Sequence, residues 1–207
     1  MTWKYNVGFV ILACILTAHP ALAQQRGAAI ASEVCASCHG PKGNSPSSAF
    51  PNLASQQKDY LAAQLKAFRD HTRADPMAQA FMWGMASQLT DEAIGELAAY
   101  YASQKATPEK RPDAKLAKQG RDIFEHGIPD EKVPACITCH GARAEGNGPM
   151  PRLADQHPEY LLKQLALFKT QVRAGANSPQ MHAVTGGMTF DQMAAVAAYI
   201  SRPEQLK

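Results

Sequence analysis

The residues most able to do chemistry lie in two five-residue segments of the pattern C-x-x-C-H, at 35–39 and 136–140, which hold four of the five cysteines. Residues three apart lie on the same side of a helical turn, so both thiols of a segment can reach one edge of a porphyrin ring. The histidine that follows can turn beneath the ring and bind its iron, and the pattern is typical of c-type haem attachment. The sequence therefore predicts two covalent haem c groups, joined to Cys35, Cys38, Cys136 and Cys139, with His39 and His140 as iron ligands.

Other uses of paired cysteines fit this pattern less well. One zinc ion held by both pairs would need the pairs about 15–20 residues apart, much closer than they are in this chain. A thioredoxin-like redox pair needs neither a second copy nor a histidine after each second cysteine. A disulfide bond within each pair is the remaining alternative, in an oxidising compartment.

The amino terminus has the parts of a secretory signal: a basic residue (Lys4), a largely apolar run at 7–17, and alanines at 21 and 23 that suit cleavage after residue 23. The apolar run is too short for a membrane-spanning helix, which needs about 20 residues. We therefore expect residues 1–23 to be a signal peptide and the mature protein to be periplasmic, a location that also suits covalent haem attachment. Lipidation of Cys14 and an uncleaved membrane anchor are the alternatives.

The two halves of the chain are similar over most of their length, which indicates a tandem duplication. The matching pairs include Pro51 and Pro151, Gln56 and Gln156, Tyr60 and Tyr160, Gln64 and Gln164, Phe68 and Phe168, and Arg73 and Arg173. The duplication predicts a first domain at residues 24–105 and a second at 113–207. Residues 106–112, a short segment with two prolines, are the expected linker.

Apolar periodicity predicts that both halves are helical. Residues 60, 61, 64, 65 and 68 share one helix face, and so do their counterparts in the second half. Thr90 and Thr189 are placed to cap a helix near the end of each half. Runs rich in glycine and proline at 40–48 and 141–149 predict a loop after each motif. The expected fold class is therefore all-α.

The sixth iron ligand decides whether each haem is closed for electron transfer or open to a substrate. No histidine outside the motifs recurs in both halves; His71 and His182, for example, align with a glutamine and a tryptophan. Met82 and Met181 do recur, in predicted loops before the last helix of each half. A thioether ligand favours ferrous iron and raises the reduction potential. We therefore predict Met82 and Met181 as iron ligands, with Met85 as the alternative in the first half.

The order of these features resembles that of the dihaem cytochrome c4 family. C-x-x-C-H, P-x-L-A-x-Q, Y-L-x-x-Q-L-x-x-F, a methionine and a closing helix each occur twice in the same order. The resemblance implies two tandem class I cytochrome c-like domains, each wrapped around one covalent haem and related by a pseudo-twofold axis. It also implies that the backbone carbonyls of Pro51 and Pro151 accept hydrogen bonds from the imidazoles of His39 and His140.

The same resemblance implies a periplasmic electron carrier, often associated with the membrane surface. Its redox-partner proteins would be a quinol-oxidising complex or a dehydrogenase as donor and a haem–copper terminal oxidase as acceptor. Because protein ligands would fill every iron position, we expect a carrier rather than an enzyme. A cytochrome subunit of a periplasmic dehydrogenase and a dihaem peroxidase are the alternatives. With a formal net charge of only +3, nothing points to a nucleic-acid partner.

The two haems should differ in reduction potential even though their predicted ligands are equivalent. Residues 24–104 hold six basic and seven acidic residues, a balance of −1, whereas residues 113–207 hold eleven and ten, a balance of +1. Positive charge near a haem favours the ferrous state, which carries less charge than the ferric state. We therefore expect the second haem to be reduced first.

Overall fold

The computed structural model describes residues 1, 20–110, 113–175 and 178–202. These residues contain no β-strand, only isolated bridges between Ile128 and Val133 and between Asn147 and Met150. The predicted all-α fold class is confirmed. Most of the predicted signal peptide lies outside the described residues. Within the described ranges, no helix has both the length and the apolar character needed to cross a bilayer.

Five α-helices build the first domain. They are α1 (Pro20–Ile30), α2 (Ala36–His39), α3 (Lys58–Arg69), α4 (Trp83–Ala86) and α5 (Asp91–Ala102). A π-helical turn at Ala31–Cys35 joins α1 to α2, and a second one at Ala78–Met82 leads into α4. A short 3₁₀ turn at Pro41–Gly43 follows α2.

The second domain repeats this order of helices. Its elements are α6 (Ala114–His126), a 3₁₀ turn (Pro129–Glu131), α7 (Ile137–His140), α8 (Pro158–Lys169), α9 (Ser178–Gly186) and α10 (Phe190–Ile200). The predicted caps are present: Thr90 Oγ1 accepts a hydrogen bond from the Ala93 N–H at 3.2 Å, and Thr189 forms a reciprocal capping box with Gln192. Each cap fixes the start of the closing helix of its domain.

In both domains the first helix packs closely against the last, and a glycine stands at the crossing. A Cβ atom on Gly27 of α1 would lie 2.5 Å from the Glu96 carbonyl oxygen of α5. A Cβ atom on Gly120 of α6 would lie 2.0 Å from the Ala195 carbonyl oxygen of α10. Only glycine permits such close approach of two backbones. These crossings hold the closing helices beside the C-x-x-C-H segments.

Each domain has its own apolar core. The first contains Leu61, Leu97, Ala98 and Tyr101 together with a smaller group around Phe68, Ala78 and Ala86. The second contains Phe124, Leu161, Met188, Met193, Val196 and Tyr199. The helices predicted from apolar periodicity, α3 and α8, bury Leu61 and Leu161 in these two cores.

Candidate haem sites and the boundary between the domains

The two C-x-x-C-H segments adopt the helical turn that their spacing predicted. Cys35 ends the π-helical turn and Cys136 precedes α7, while the second cysteine and the histidine of each motif lie in α2 or α7. None of the four motif cysteines is paired in a disulfide bond, so the disulfide alternative is not supported. Gly40 and Gly141 end these helices with φ of 71° and 80°, a conformation that glycine adopts without strain.

The motif histidines are oriented by a backbone contact that recurs in both halves. His39 Nδ1 donates to the Pro51 carbonyl at 2.9 Å, and His140 Nδ1 donates to the Pro151 carbonyl at 3.0 Å. Since a carbonyl oxygen can only accept, the proton is on Nδ1 and the Nε2 lone pair is free for a metal. Burial lowers the pKa of both imidazoles, outweighing the opposing effect of the carbonyl contact, so both are neutral at neutral pH.

A continuous cavity of about 520 Å³ runs between the two halves. Its wall includes the candidate haem-binding residues Cys35, His39, Met82, Cys136, Cys139, His140 and Met181. Much of the remaining wall is apolar and comes from the two cores, including Leu65, Leu97, Leu165, Val196 and Ile200. Thiols, neutral imidazoles and thioethers around an apolar space are the donor set and surroundings that a covalently attached porphyrin requires.

The predicted methionine ligands lie on this wall, but in helical segments rather than in the predicted loops. Met82 ends the π-helical turn Ala78–Met82, and Met181 lies within α9. Neither segment has an apolar stripe or a capping residue strong enough to predict a helix from sequence. Met85 is 56% exposed and is not part of the cavity wall, so Met82 is the better placed of the two candidates in the first half.

Two buried arginines meet at the boundary between the domains. Arg73 Nη1 donates to Gln64 Oε1 and Arg173 Nη1 to Gln164 Oε1, both at 2.7 Å. The contacts also cross the boundary: Arg173 Nη2 donates to the Tyr60 hydroxyl at 2.8 Å. Burial acts to raise the pKa of Tyr60, but the guanidiniums of Arg173 and Arg73 outweigh burial and lower that pKa below its usual value.

These polar residues match between the two halves of the sequence, but their contacts at the domain boundary could not be predicted from it. Gln64 and Gln164 lie on helix faces that are otherwise apolar, which was the available signal. Both arginines also line the cavity. Buried positive charge on the wall of an apolar cavity fits a cofactor with an apolar ring and carboxylate groups at its edge, which is the composition of haem.

The arginine of the second domain lacks the partner that its counterpart has. Arg73 Nε lies 2.9 Å from an oxygen of Asp75, a carboxylate that is 1% exposed. The corresponding position in the second half is Gly175. Within the part of the chain that the structure describes, no carboxylate pairs with Arg173, and its guanidinium donates only to uncharged acceptors on Gln164, Tyr60 and Gln64.

Comparison with known proteins agrees with this geometry. The family model described as cytochrome c matches residues 24–105 and 117–202. Cytochrome c4 from Thiocapsa roseopersicina is 37% identical over 85% of this chain and 90% of its own length. The solved structure of cytochrome c4 from Acidithiobacillus ferrooxidans is 40% identical, has a TM-score of 0.74, and is matched over 81% of this chain and 97% of its own.

A third relative has a more specific name. The thiosulfate dehydrogenase electron acceptor of Thiomonas intermedia (strain K12) is 35% identical over 81% of this chain and 77% of its own length. The chain belongs to the dihaem cytochrome c4 family of electron carriers, and it binds two haem c groups covalently.

Proposed function

We propose that the protein carries electrons in the periplasm, with His39 and Met82 as the iron ligands of the first haem and His140 and Met181 as those of the second. The observation that carries this proposal is that each half places a motif cysteine, a histidine and a methionine on the wall of one shared cavity. Haem iron with a histidine and a methionine ligand exchanges single electrons and keeps no position open for a substrate.

For the partners, we propose a quinol-oxidising complex as donor and a haem–copper terminal oxidase as acceptor. A second candidate, electron acceptor of a periplasmic dehydrogenase, is favoured by the relative from Thiomonas intermedia that is named for this role. Both candidate functions use the same one-electron chemistry, so they differ only in the identity of the redox partner. A dihaem peroxidase would need an open iron position, which His and Met ligation at both haems would not leave.

Two assays on the complete dihaem protein distinguish the two partner assignments. In one arm, the reduced protein is mixed with oxidase-containing membranes of its source, and cyanide-sensitive oxidation is expected. In the other arm, thiosulfate and a purified thiosulfate dehydrogenase are mixed with the oxidised protein. Fast reduction there, with no oxidation by the membranes, would favour the dehydrogenase assignment. Substantial peroxide turnover by the intact protein would contradict both.

We also propose that residues 1–23 are removed on export, leaving domains at 24–105 and 113–207 joined by residues 106–112. The family matches at 24–105 and 117–202 support these bounds. Export is expected to leave a protein that binds the membrane surface peripherally. The mass of the mature protein tests cleavage after Ala23, and release from membranes by salt tests the mode of association.

A further inference from the structure

Gln156 of the second domain is bound to the backbone of the first domain at a single residue. Its Oε1 accepts from the Asn52 N–H at 2.8 Å, and its Nε2 donates to the Asn52 carbonyl at 2.9 Å. The side chain of Gln156 is buried, with 6% of the residue exposed. One amide side chain therefore holds both polar groups of one backbone residue across the domain boundary.

The reciprocal contact is present on the other side of the boundary. Gln56 Oε1 accepts from the Arg152 N–H at 2.7 Å, and Gln56 Nε2 donates to the Arg152 carbonyl at 2.8 Å. Gln56 and Gln156 occupy equivalent places in the repeat, and so do Asn52 and Arg152. We call these paired contacts the two glutamine clamps.

Each clamp holds the peptide group that orients a motif histidine. The Pro51 carbonyl, which accepts from His39 Nδ1, and the Asn52 N–H, which donates to Gln156, belong to one peptide unit. In the second domain the Pro151–Arg152 peptide unit makes the same two contacts, to His140 and to Gln56. A chain of hydrogen bonds thus runs from each glutamine to the histidine of the other domain.

We infer that each clamp glutamine is a positioning residue for the iron-ligand histidine of the opposite domain. Gln156 acts on His39, and Gln56 acts on His140. The inference rests on the proposed role of these histidines as iron ligands. It gives the domain boundary a part in setting the haem ligands, beyond joining the two halves.

The direction of the effect follows from how hydrogen bonds in a chain polarise one another. An acceptor on the N–H side of a peptide unit increases the negative charge on its carbonyl oxygen, which strengthens the bond from the imidazole N–H. A stronger bond at Nδ1 makes the imidazole a more basic ligand. A more basic ligand stabilises ferric iron, so each clamp should lower the reduction potential of the haem in the opposite domain.

The test uses the complete dihaem protein with Gln156→Met, which keeps the length of the side chain and removes both hydrogen bonds. In the ferrous, diamagnetic state, the Nδ1–H proton of each histidine is followed by NMR and assigned through its contact with residues 51–52 or 151–152. We expect the His39 signal to move upfield and the first haem to rise in potential, with His140 unchanged. Gln56→Met should give the mirror result.

Gln57→Met is the matched control. Gln57 Nε2 also donates across the domain boundary, to the Glu145 carbonyl at 2.7 Å, but it contacts neither clamped peptide unit. We expect both histidine signals to stay in place in this variant. Three results for the clamp variants would overturn the inference: equal shifts of both histidine signals, a shift only of the histidine signal in the domain of the changed glutamine, or no shift of either signal. If the unmodified protein lacked the ring-current shifts of iron-bound His39 and His140, the ligand assignment itself would fail.

Discussion

Both domains hold the motif histidine against a proline carbonyl, yet they differ in the charge beside a buried arginine. In the first domain Asp75 neutralises Arg73, whereas in the second domain Gly175 occupies the equivalent place and the partners of Arg173 among the described residues are neutral. Burying a charge without a counter-charge is costly unless something else in the site compensates it. The duplication has therefore kept the hydrogen bonds that orient the motif histidines, while the buried charges at the domain boundary have diverged.

A second difference preserves a contact with a different side chain. Trp83 Nε1 donates to the Arg73 carbonyl at 2.8 Å, and His182 Nε2 donates to the Arg173 carbonyl at 2.9 Å. The aromatic neighbours differ. His71 stacks on Trp83 with the ring centroids 4.1 Å apart, whereas His182 is tilted against Phe168 with the ring centroids 6.0 Å apart. The hydrogen bond to the carbonyl of Arg73 or Arg173 is therefore the feature common to both domains, and it accounts for His182 without a role at iron.

The largest expected effect comes from removing one attachment site. In Cys35→Ala/Cys38→Ala, the haem-to-protein ratio in a pyridine haemochrome assay should fall from two to one, because each cysteine pair holds its own haem. Cys136→Ala/Cys139→Ala is the mirror variant and should give the same ratio. A ratio that stays at two in either variant would contradict separate attachment.

Changing one methionine ligand should separate the haems electrochemically. In Met181→His the second haem should fall in potential by a sizeable part of the range of about 0.8 V that axial ligands span, because imidazole stabilises ferric iron more than a thioether does. Met82→His should do the same to the first haem. Met181→Ala should also remove about half of the far-red absorption band of sulfur bound to ferric iron.

Met85→Ala is the matched control for the first domain, since Met85 is exposed and off the cavity wall. Its spectrum and both potentials should equal those of the unmodified protein. Loss of about half of the far-red band in Met85→Ala would instead identify Met85 as the iron ligand of the first haem.

Removing the buried carboxylate should make the first domain resemble the second. In Asp75→Asn we expect the potential of the first haem to rise by on the order of tens of millivolts, because loss of a buried negative charge makes ferric iron less stable. The free energy of unfolding should also fall by about 3–5 kcal/mol, because Arg73 loses its buried partner. Redox titration and denaturant unfolding measure the two effects.

Asp70→Asn provides the control for this charge. Asp70 pairs with Arg69 at 3.0 Å but is half exposed, so water screens its field. Neither potential should change measurably. An equal shift in the potential of the first haem in Asp75→Asn and Asp70→Asn would show that the burial of Asp75 does not determine the effect.

The smallest expected effect concerns the hydrogen bond shared by Trp83 and His182. In His182→Phe the bond to the Arg173 carbonyl is lost, and the free energy of unfolding should fall by about 1 kcal/mol. His182→Trp copies the first domain and should restore the lost stability, because the indole N–H can donate to the same carbonyl. Equal stability of the two variants in urea unfolding would show that this hydrogen bond contributes nothing.

The sequence alone could predict the structural features that depend on short-range geometry or that recur in both halves. The C-x-x-C-H spacing, the helix faces of α3 and α8 and the caps at Thr90 and Thr189 depend on short-range geometry, and the structure has all of them. The helical setting of Met82 and Met181 could not be predicted, because these segments have no intrinsic helical pattern and pack against the cores through neighbours such as Trp83 and Val184.

The contacts across the domain boundary could not be predicted for a different reason. Gln56 and Gln156 match each other in the sequence repeat. A sequence repeat does not show which backbone groups of the other domain these side chains will contact. The same holds for Arg73 and Arg173, whose burial depends on both domains at once. Equivalent buried polar residues in a tandem repeat are a signal for such a boundary in other chains.

A spectroelectrochemical titration of the intact protein tests most directly the claim that two haems with equivalent ligands are tuned apart by their surroundings. Met181→His, titrated in parallel, marks the wave of the second haem. We predict two resolved one-electron waves, with the second haem reduced first because no carboxylate in the described part of the chain pairs with Arg173. A single one-electron Nernst curve, or two waves with the first haem reduced first, would contradict this account.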